Sequence, residues 1–159
     1  MSATLEVIAW NDLAAALVED FSALPRRDRN LVRRAFLGGG RLYGVSDAGE
    51  FGVYAAHKLR AAAARYRDDP EIAALVGELR AGSAEFARLW SSHDVATEPA
   101  LRKTFDHRSV GPITVTCDVL DLTDRDQQVV IYTAVPGSPA EEALRLLSVI
   151  GTERMDVGS

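Results

Sequence analysis

The chain has 159 residues, 47% hydrophobic and 26% charged, a composition typical of one globular domain with a single core. Its net charge of −5 at pH 7 argues against nucleic-acid binding, because proteins that bind phosphate backbones usually present a basic face. Cys117 is the only cysteine, which excludes an intrachain disulfide and a cysteine-type zinc site and favours a reducing, cytoplasmic location.

The N-terminal part of the chain predicts one strand and two helices. Residues 5–11, LEVIAWN, alternate with the period of two that is typical of a strand with both faces partly covered. Asn11 suits the N-cap of a helix whose apolar residues keep helical spacing through residue 24. Pro25 fits the first turn of a second helix, which Gly38 is expected to end.

A glycine-rich segment follows, and two further helices come after it. Six glycines in residues 38–52 predict a mobile loop, with a short strand at residues 42–45. Apolar residues at helical spacing in an alanine-rich stretch predict a third helix over residues 50–66. Asp69 as a cap and Pro70 at the first helical position indicate the start of a fourth helix.

After about residue 96 the hydrophobic period changes to that of strands. A short strand is expected at residues 103–107. Residues 111–122, GPITVTCDVLDL, alternate apolar and polar side chains, which predicts a strand with one buried face. Residues 127–135, QQVVIYTAV, are apolar on both faces, which predicts a central strand.

The last predicted element is a helix between Ser138 and Gly151. Ser138 is a suitable cap, and Glu141 three residues later completes the pattern of a capping box. The order is therefore strand, several helices, three strands and a helix, with helices and strands segregated. Segregation indicates the α+β class with an antiparallel sheet, in one domain without internal repeats.

Residues 26–41 are locally basic, since they contain six arginines. We interpret them as an exposed helix face that meets acidic groups elsewhere in the protein, and not as a DNA-binding site.

The segment EFARLWSSHDV, residues 85–95, is predicted to be a helix that Ser83 caps. Phe86, Leu89 and Trp90 share one helical face. His93 lies one turn beyond them, at the expected edge of the core, where a histidine usually satisfies a carbonyl or carboxylate.

The same segment contains the residue types of a hydrolytic triad, Ser91 or Ser92 with His93 and Asp94. A nucleophile must lie within hydrogen-bond reach of its base, whereas side chains that are neighbours along a helix point in different directions. No phosphate loop, nucleophile elbow or metal-binding spacing occurs elsewhere in the sequence. We therefore do not expect an enzyme.

Several segments occur together in a fixed order over almost the whole chain, from Val7 to Leu147. They are AWN near the start, RNLVRRAF, the long stretch LRAAAARYRDDPEIAALVGELRAGSAEFARLWSSHDV, a His-x-x-x-Gly step from His107 to Gly111, and VVIYTAVPGSPAEEALRLL. Together these segments resemble the ligand-binding domain of MmyB-like, XRE-type transcription regulators.

The resemblance implies a PAS-like fold, in which an antiparallel sheet with a helical layer on one side encloses an apolar cavity. It also implies a sensory role, in which a fatty-acid-like molecule modulates DNA binding by a helix-turn-helix domain. That domain normally precedes the sensor and is expected to be absent from this chain. Residues 1–151 would then form the sensor domain and residues 152–159 a C-terminal tail.

The leading hypothesis is thus a non-enzymatic sensor domain that binds an apolar small molecule and needs neither a cofactor nor a metal. His57 or Arg60 on the third helix is expected to meet a ligand carboxylate. The other candidate ligand-binding residues are Trp10, Phe36, Tyr54, Trp90, His93, Phe105 and Tyr132. For each aromatic taken alone, core packing is the more common role.

Two alternatives are open at this point. One is a protein-interaction or dimerisation module with a filled core and no ligand, for example a homodimer of this chain. The other is a hydrolase that uses His93. No apolar run approaches the roughly 18 residues that span a bilayer, so no membrane contact is expected.

Overall fold

A computed structural model describes residues 1–38, 48–92 and 102–156. The short strand predicted at residues 42–45, most of the glycine-rich loop and His93 lie outside these residues. The described helices are α1 Asp12–Leu17, α2 Leu31–Leu37, α3 Ala48–Arg65, α4 Pro70–Gly82, α5 Ala84–Ser91 and α6 Pro139–Asp156. Short 3-10 turns cover Phe21–Ala23, Arg26–Arg29 and Thr123–Arg125.

The described strands form one antiparallel sheet in the order β1-β2-β3, with bounds β1 Arg102–His107, β2 Gly111–Leu122 and β3 Gln127–Thr133. Helices α1 and α6 pack on each other, and α6 packs on β2. The α+β class with an antiparallel sheet is thereby confirmed. None of the helices in the described part of the chain is long and apolar enough to cross a membrane.

Helix starts follow the local signals in the sequence. The Asn11 side chain accepts a hydrogen bond from the Ala14 N–H at 2.8 Å, and Ser83 accepts one from the Phe86 N–H at 3.1 Å. Asp69 caps α4 in the same way, with Pro70 as the first helical residue. These caps were predicted, because the cap interaction depends on only three or four consecutive residues.

Residues 5–11 do not form a strand, and that prediction is wrong. The segment makes only an isolated bridge between Glu6 and Asn30. Leu5 has a φ of 59°, in the left-handed region, which interrupts the extended backbone. The alternation is nevertheless real, because Leu5 and Val7 are buried in the helical core.

The first two helices are shorter than predicted. α1 ends at Leu17, and Asp20 caps a separate 3-10 turn by accepting a hydrogen bond from the Ser22 N–H at 2.9 Å. α2 begins only after Asn30, whose side chain accepts from the Arg33 N–H at 2.9 Å. At each of these additional caps a new helical segment begins, although the apolar residues keep their helical spacing across the break.

Two further predictions at the C-terminal end need correction. β3 is an edge strand and not a central one, and it ends at Thr133, before residue 135. α6 does not stop at Gly151 but continues to Asp156. A glycine within a helix is unfavourable by about 1 kcal/mol relative to alanine, which is not enough to end it.

The buried side chains form two clusters. The larger lies among α2 to α5 and the N-terminal segment, with Phe86, Leu59 and Leu79 fully buried. The smaller lies between the sheet and the pair α1 and α6, and consists of Leu17, Phe105, Ile113, Val115 and Leu147.

The arginine-rich segment meets acidic groups, as interpreted from the sequence. The described ion pairs are Arg26 with Glu6 and Glu71, Arg27 and Arg33 with Glu78, and Arg34 with Glu19. This surface is therefore partly neutralised by carboxylates from other elements.

Candidate functional site

A cavity of about 500 Å³ lies between the inner face of the sheet, α1, α3 and the N-terminal segment. Its described apolar lining includes Trp10, Phe21, Leu31, Phe51, Val119 and Val130. Pockets for small ligands in proteins have volumes of roughly 300 to 1,000 Å³ and mostly apolar walls with a few polar groups. The cavity therefore has the size and lining of a small-molecule site.

The pairing of β2 with β3 places alternate residues on the cavity wall. Cys117 is paired with Tyr132, and Val119 with Val130. All four line the cavity, because side chains at every second position of a strand share one face.

Three of the candidate residues from the sequence line this cavity: Trp10, Tyr54 and Tyr132. The Trp10 ring lies 5.3 Å from the Phe21 ring, measured between centroids, and the Arg29 guanidinium lies 5.2 Å from the Trp10 centroid. Burial raises the pKa of Tyr132 above its ordinary value, and the neighbouring Cys117 adds a smaller electrostatic effect in the same direction. Tyr132 therefore presents a neutral hydroxyl at neutral pH.

The structure places the aromatic residues of α2 and α5 elsewhere, in the helical core. Phe36 packs edge-on against Phe86 at a centroid distance of 5.0 Å, and Trp90 stacks on Phe86 at 5.3 Å. Phe86 and Leu89 are buried, as predicted for the inner face of this helix.

Arg60 is engaged by the end of α5. Its Nη2 atom donates to the carbonyl oxygens of Leu89 and Trp90, both at 2.7 Å, and its guanidinium lies 5.5 Å from the Trp90 ring centroid. Among the remaining candidates, His57 is exposed on α3 and Phe105 packs edge-on against Tyr132 in the smaller core.

A polar network borders the cavity beside α3. The Gln128 amide contacts the Tyr54 hydroxyl at 3.1 to 3.2 Å and donates to Asp121 Oδ1 at 2.7 Å. Lys58 Nζ lies 3.3 Å from the same oxygen. The hydrogen bond from Gln128, and then the one from Lys58, holds the pKa of the Asp121 carboxyl below its ordinary value. The network thus keeps a buried amide oriented at the cavity wall.

Lys103 is the cationic side chain in the described lining of the cavity, and that lining contains no carboxylate. Its Nζ atom lies 5.5 Å from the Phe51 ring centroid. No described carboxylate forms an ion pair with it. Lys103 is thereby available to an anionic group of a ligand.

Sequence reasoning missed Lys103, although a signal was present. Lys103 is paired with Val115 and Phe105 with Ile113, so the lysine lies on the inner face of β1, two positions from a buried phenylalanine. A lysine at an inward position of a strand is unusual enough to be informative.

The serines of the EFARLWSSHDV segment are bonded to their own helix. The Ser91 hydroxyl donates to the Ala87 carbonyl at 2.9 Å, and the Ser92 hydroxyl donates to the Leu89 carbonyl at 3.0 Å. His93 and Asp94 lie outside the described residues.

A second cavity, of about 570 Å³, lies beside α4 and the arginine-rich segment. Its lining carries both Arg33 and Glu78, which form an ion pair. It differs from the first cavity in having charged walls of both signs.

Comparison with known families gives one match. A family model described as the MmyB-like transcription regulator ligand binding domain matches residues 1–147. This range contains both buried clusters and the apolar cavity. Comparisons with curated proteins and with solved structures gave no match.

Proposed function

The chain belongs to the family of MmyB-like transcription regulator ligand-binding domains, and we propose that it is a non-enzymatic sensor of a fatty-acid-like molecule held in the cavity beside β3. The observation that carries the proposal is the pairing of an apolar cavity of about 500 Å³ with one available cation, Lys103. The apolar walls suit an acyl chain, and the ammonium suits its carboxylate.

The position of the cavity also supports a regulatory role for the ligand. Its walls belong to the N-terminal segment, to α1 and to the sheet. A DNA-binding helix-turn-helix domain preceding residues 1–151 would connect through that N-terminal segment. A ligand would then act by binding one arrangement of the two domains more tightly than the other, since only differential affinity shifts such an equilibrium.

The presence of a ligand is tested by denaturing mass spectrometry of an organic extract of the purified protein, followed by titration of the delipidated protein with dodecanoate. We expect one small molecule per chain in the extract and saturable binding of dodecanoate. A filled core, as in an interaction module, would give an empty extract and no binding, and that result would overturn the proposal.

The role of Lys103 is tested by Lys103→Met, which keeps the length of the side chain and removes its charge. We expect dodecanoate to bind about tenfold more weakly, because an interaction with a charged group is lost. The matched control is Arg102→Met, which removes a cation at the exposed position next to Lys103 on β1. Equal affinities of the two variants would remove Lys103 from the site.

A further inference from the structure

The outer edge of β3 borders the cavity. Gln128 and Met1 exchange a pair of backbone hydrogen bonds there: the Met1 nitrogen donates to the Gln128 carbonyl at 2.7 Å, and the Gln128 N–H donates to the Met1 carbonyl at 2.9 Å. This pattern is that of a hydrogen-bonded pair in an antiparallel ladder. Both residues line the cavity, so this edge accepts a strand-like partner at the cavity wall.

Two further residues of β3 present backbone groups to the same side. In an antiparallel strand the N–H and C=O of every second residue point in the same direction. Because those of Gln128 point away from β2, those of Val130 and Tyr132 do so as well. No residue in the described part of the chain pairs with these groups of Val130 and Tyr132.

The N-terminal segment, on the opposite wall of the cavity, does not pair with the backbone groups of Val130 and Tyr132. The N-terminal segment makes its last backbone hydrogen bond before α1 at Val7, to the Arg29 carbonyl at 3.0 Å. Ile8, Ala9 and Trp10 line the cavity and make no backbone hydrogen bond to any residue that the structure describes. Among the residues that the structure describes, none takes the position of a fourth strand beside β3, and that position borders the cavity.

The surroundings of this edge favour a partner for its backbone groups. Val130 and Tyr132 lie on the face of β3 that lines the cavity, whose described lining is mostly apolar. Backbone groups that face an apolar space without a partner are costly, and in folded proteins nearly all of them are paired. The groups of Val130 and Tyr132 that have no described partner therefore indicate a partner inside the cavity.

From this geometry we infer that the ligand is an N-acylated amino acid, whose amide N–H donates to the Val130 carbonyl and whose carboxylate accepts from the Val130 N–H. The inference rests on the proposed function and narrows its ligand class. These two hydrogen bonds would repeat at Val130 the pair of backbone hydrogen bonds that Met1 forms with Gln128. The acyl chain fills the apolar part of the cavity, and Lys103 supplies positive charge in the same cavity.

The test is isothermal titration calorimetry of the delipidated protein with three probes of matched length: dodecanoate, N-decanoylglycine and the ester in which oxygen replaces the amide N–H. We expect N-decanoylglycine to bind about tenfold more tightly than the ester, because the ester lacks the donor and leaves the Val130 carbonyl unpaired. Equal affinities of amide and ester, with dodecanoate bound, would overturn this inference alone. No binding of any probe would overturn the proposed function with it.

A variant pair tests the position of the contact. Val130→Pro removes the N–H of Val130, which points away from β2, so no bond of the β2–β3 ladder is lost. Val130→Thr keeps the N–H and a similar shape. We expect the proline variant to bind N-decanoylglycine about tenfold more weakly than the threonine variant. Dodecanoate, titrated into both variants, measures any loss of affinity that comes from the altered cavity wall rather than from the missing N–H. Equal binding by both variants would overturn pairing at Val130. If the proline variant loses its circular-dichroism signature, the amide and ester comparison on the unaltered protein decides.

Discussion

Lys103 and Arg60 are both cations beside an aromatic ring, and their neighbours give them different roles. The guanidinium of Arg60 is used by two carbonyls at the end of α5, where a cation also complements the helix dipole. The ammonium of Lys103 faces an apolar cavity and pairs with no described carboxylate. Of the two cations, Lys103 is therefore the one that the proposed function assigns to a fatty-acid carboxylate.

The hydrogen bonds of Arg60 to the end of α5 can be tested by substitution. Arg60→Gln is expected to lower the free energy of unfolding by about 1 to 2 kcal/mol, since two carbonyls lose a charged donor. Dodecanoate affinity should stay unchanged. Urea unfolding and calorimetric titration measure the two quantities, with Arg80→Gln on the exposed side of α4 as the control. A large loss of affinity with little change in stability would instead place Arg60 at the ligand.

Single residues also show how much the sequence predicts about the cavity wall. Trp10, Tyr54 and Tyr132 are aromatic residues predicted to contact a ligand, and they line the cavity. Phe36 and Trp90 are aromatic residues with the same prediction, and they pack against Phe86. Local sequence does not distinguish a wall of a cavity from a filled core, because the difference depends on which distant element supplies the facing atoms.

Among the elements, α4 is joined to the arginine-rich segment by ion pairs of two carboxylates. Arg33 and Arg27 both pair with Glu78, and Arg26 lies 3.6 Å from the more exposed Glu71. The hydrogen bonds from Arg33, and then from Arg27, hold the pKa of Glu78 below its ordinary value of 4.5. This carboxylate therefore contributes stability above the pKa of the unfolded chain, and that contribution is lost as pH falls through the folded-state pKa.

Glu78→Gln should lower the free energy of unfolding at pH 7 by about 1 to 2 kcal/mol, because Arg33 is mostly buried and loses its partner. The difference between the variant and the parent should shrink below pH 4.5, where the parent carboxylate also becomes protonated. Urea unfolding at a series of pH values measures both effects. Glu71→Gln, a change at an exposed carboxylate of the same helix, serves as the control. A difference that stays constant down to pH 3 would contradict the pairing.

Elements were predicted correctly where the signal lies in a few consecutive residues. They were predicted incorrectly where the pairing of distant strands determines the structure. Asp69 with Pro70 marks the start of α4 unaided, and the alternation of residues 111–122 identifies β2. Residues 5–11 alternate equally well and are not a strand, because a strand needs a partner and β3 does not reach them. The apolar faces of β3 likewise predicted a central strand, whereas in the part of the chain that the structure describes the sheet gives β3 one neighbouring strand.

In the whole molecule, the apolar cavity lies between the two buried clusters. Its lining takes Val7, Phe21 and Leu31 from the larger cluster, and Tyr132 packs against the smaller one. The clusters would otherwise form the single core expected for a chain of this length. A larger side chain that fills the cavity should therefore exclude the ligand.

Ala14→Leu extends a side chain of α1 into this space, at a position that lines the cavity. Leucine keeps the helix propensity of the site, and burial of the added methyl groups should raise the thermal midpoint by a few degrees. Dodecanoate should bind at least about tenfold more weakly, because the same volume cannot hold both groups. The control, Ala64→Leu, adds the same atoms to an exposed position of α3 and should leave binding unchanged. Undiminished dodecanoate binding by Ala14→Leu would show that the ligand occupies another place in the molecule.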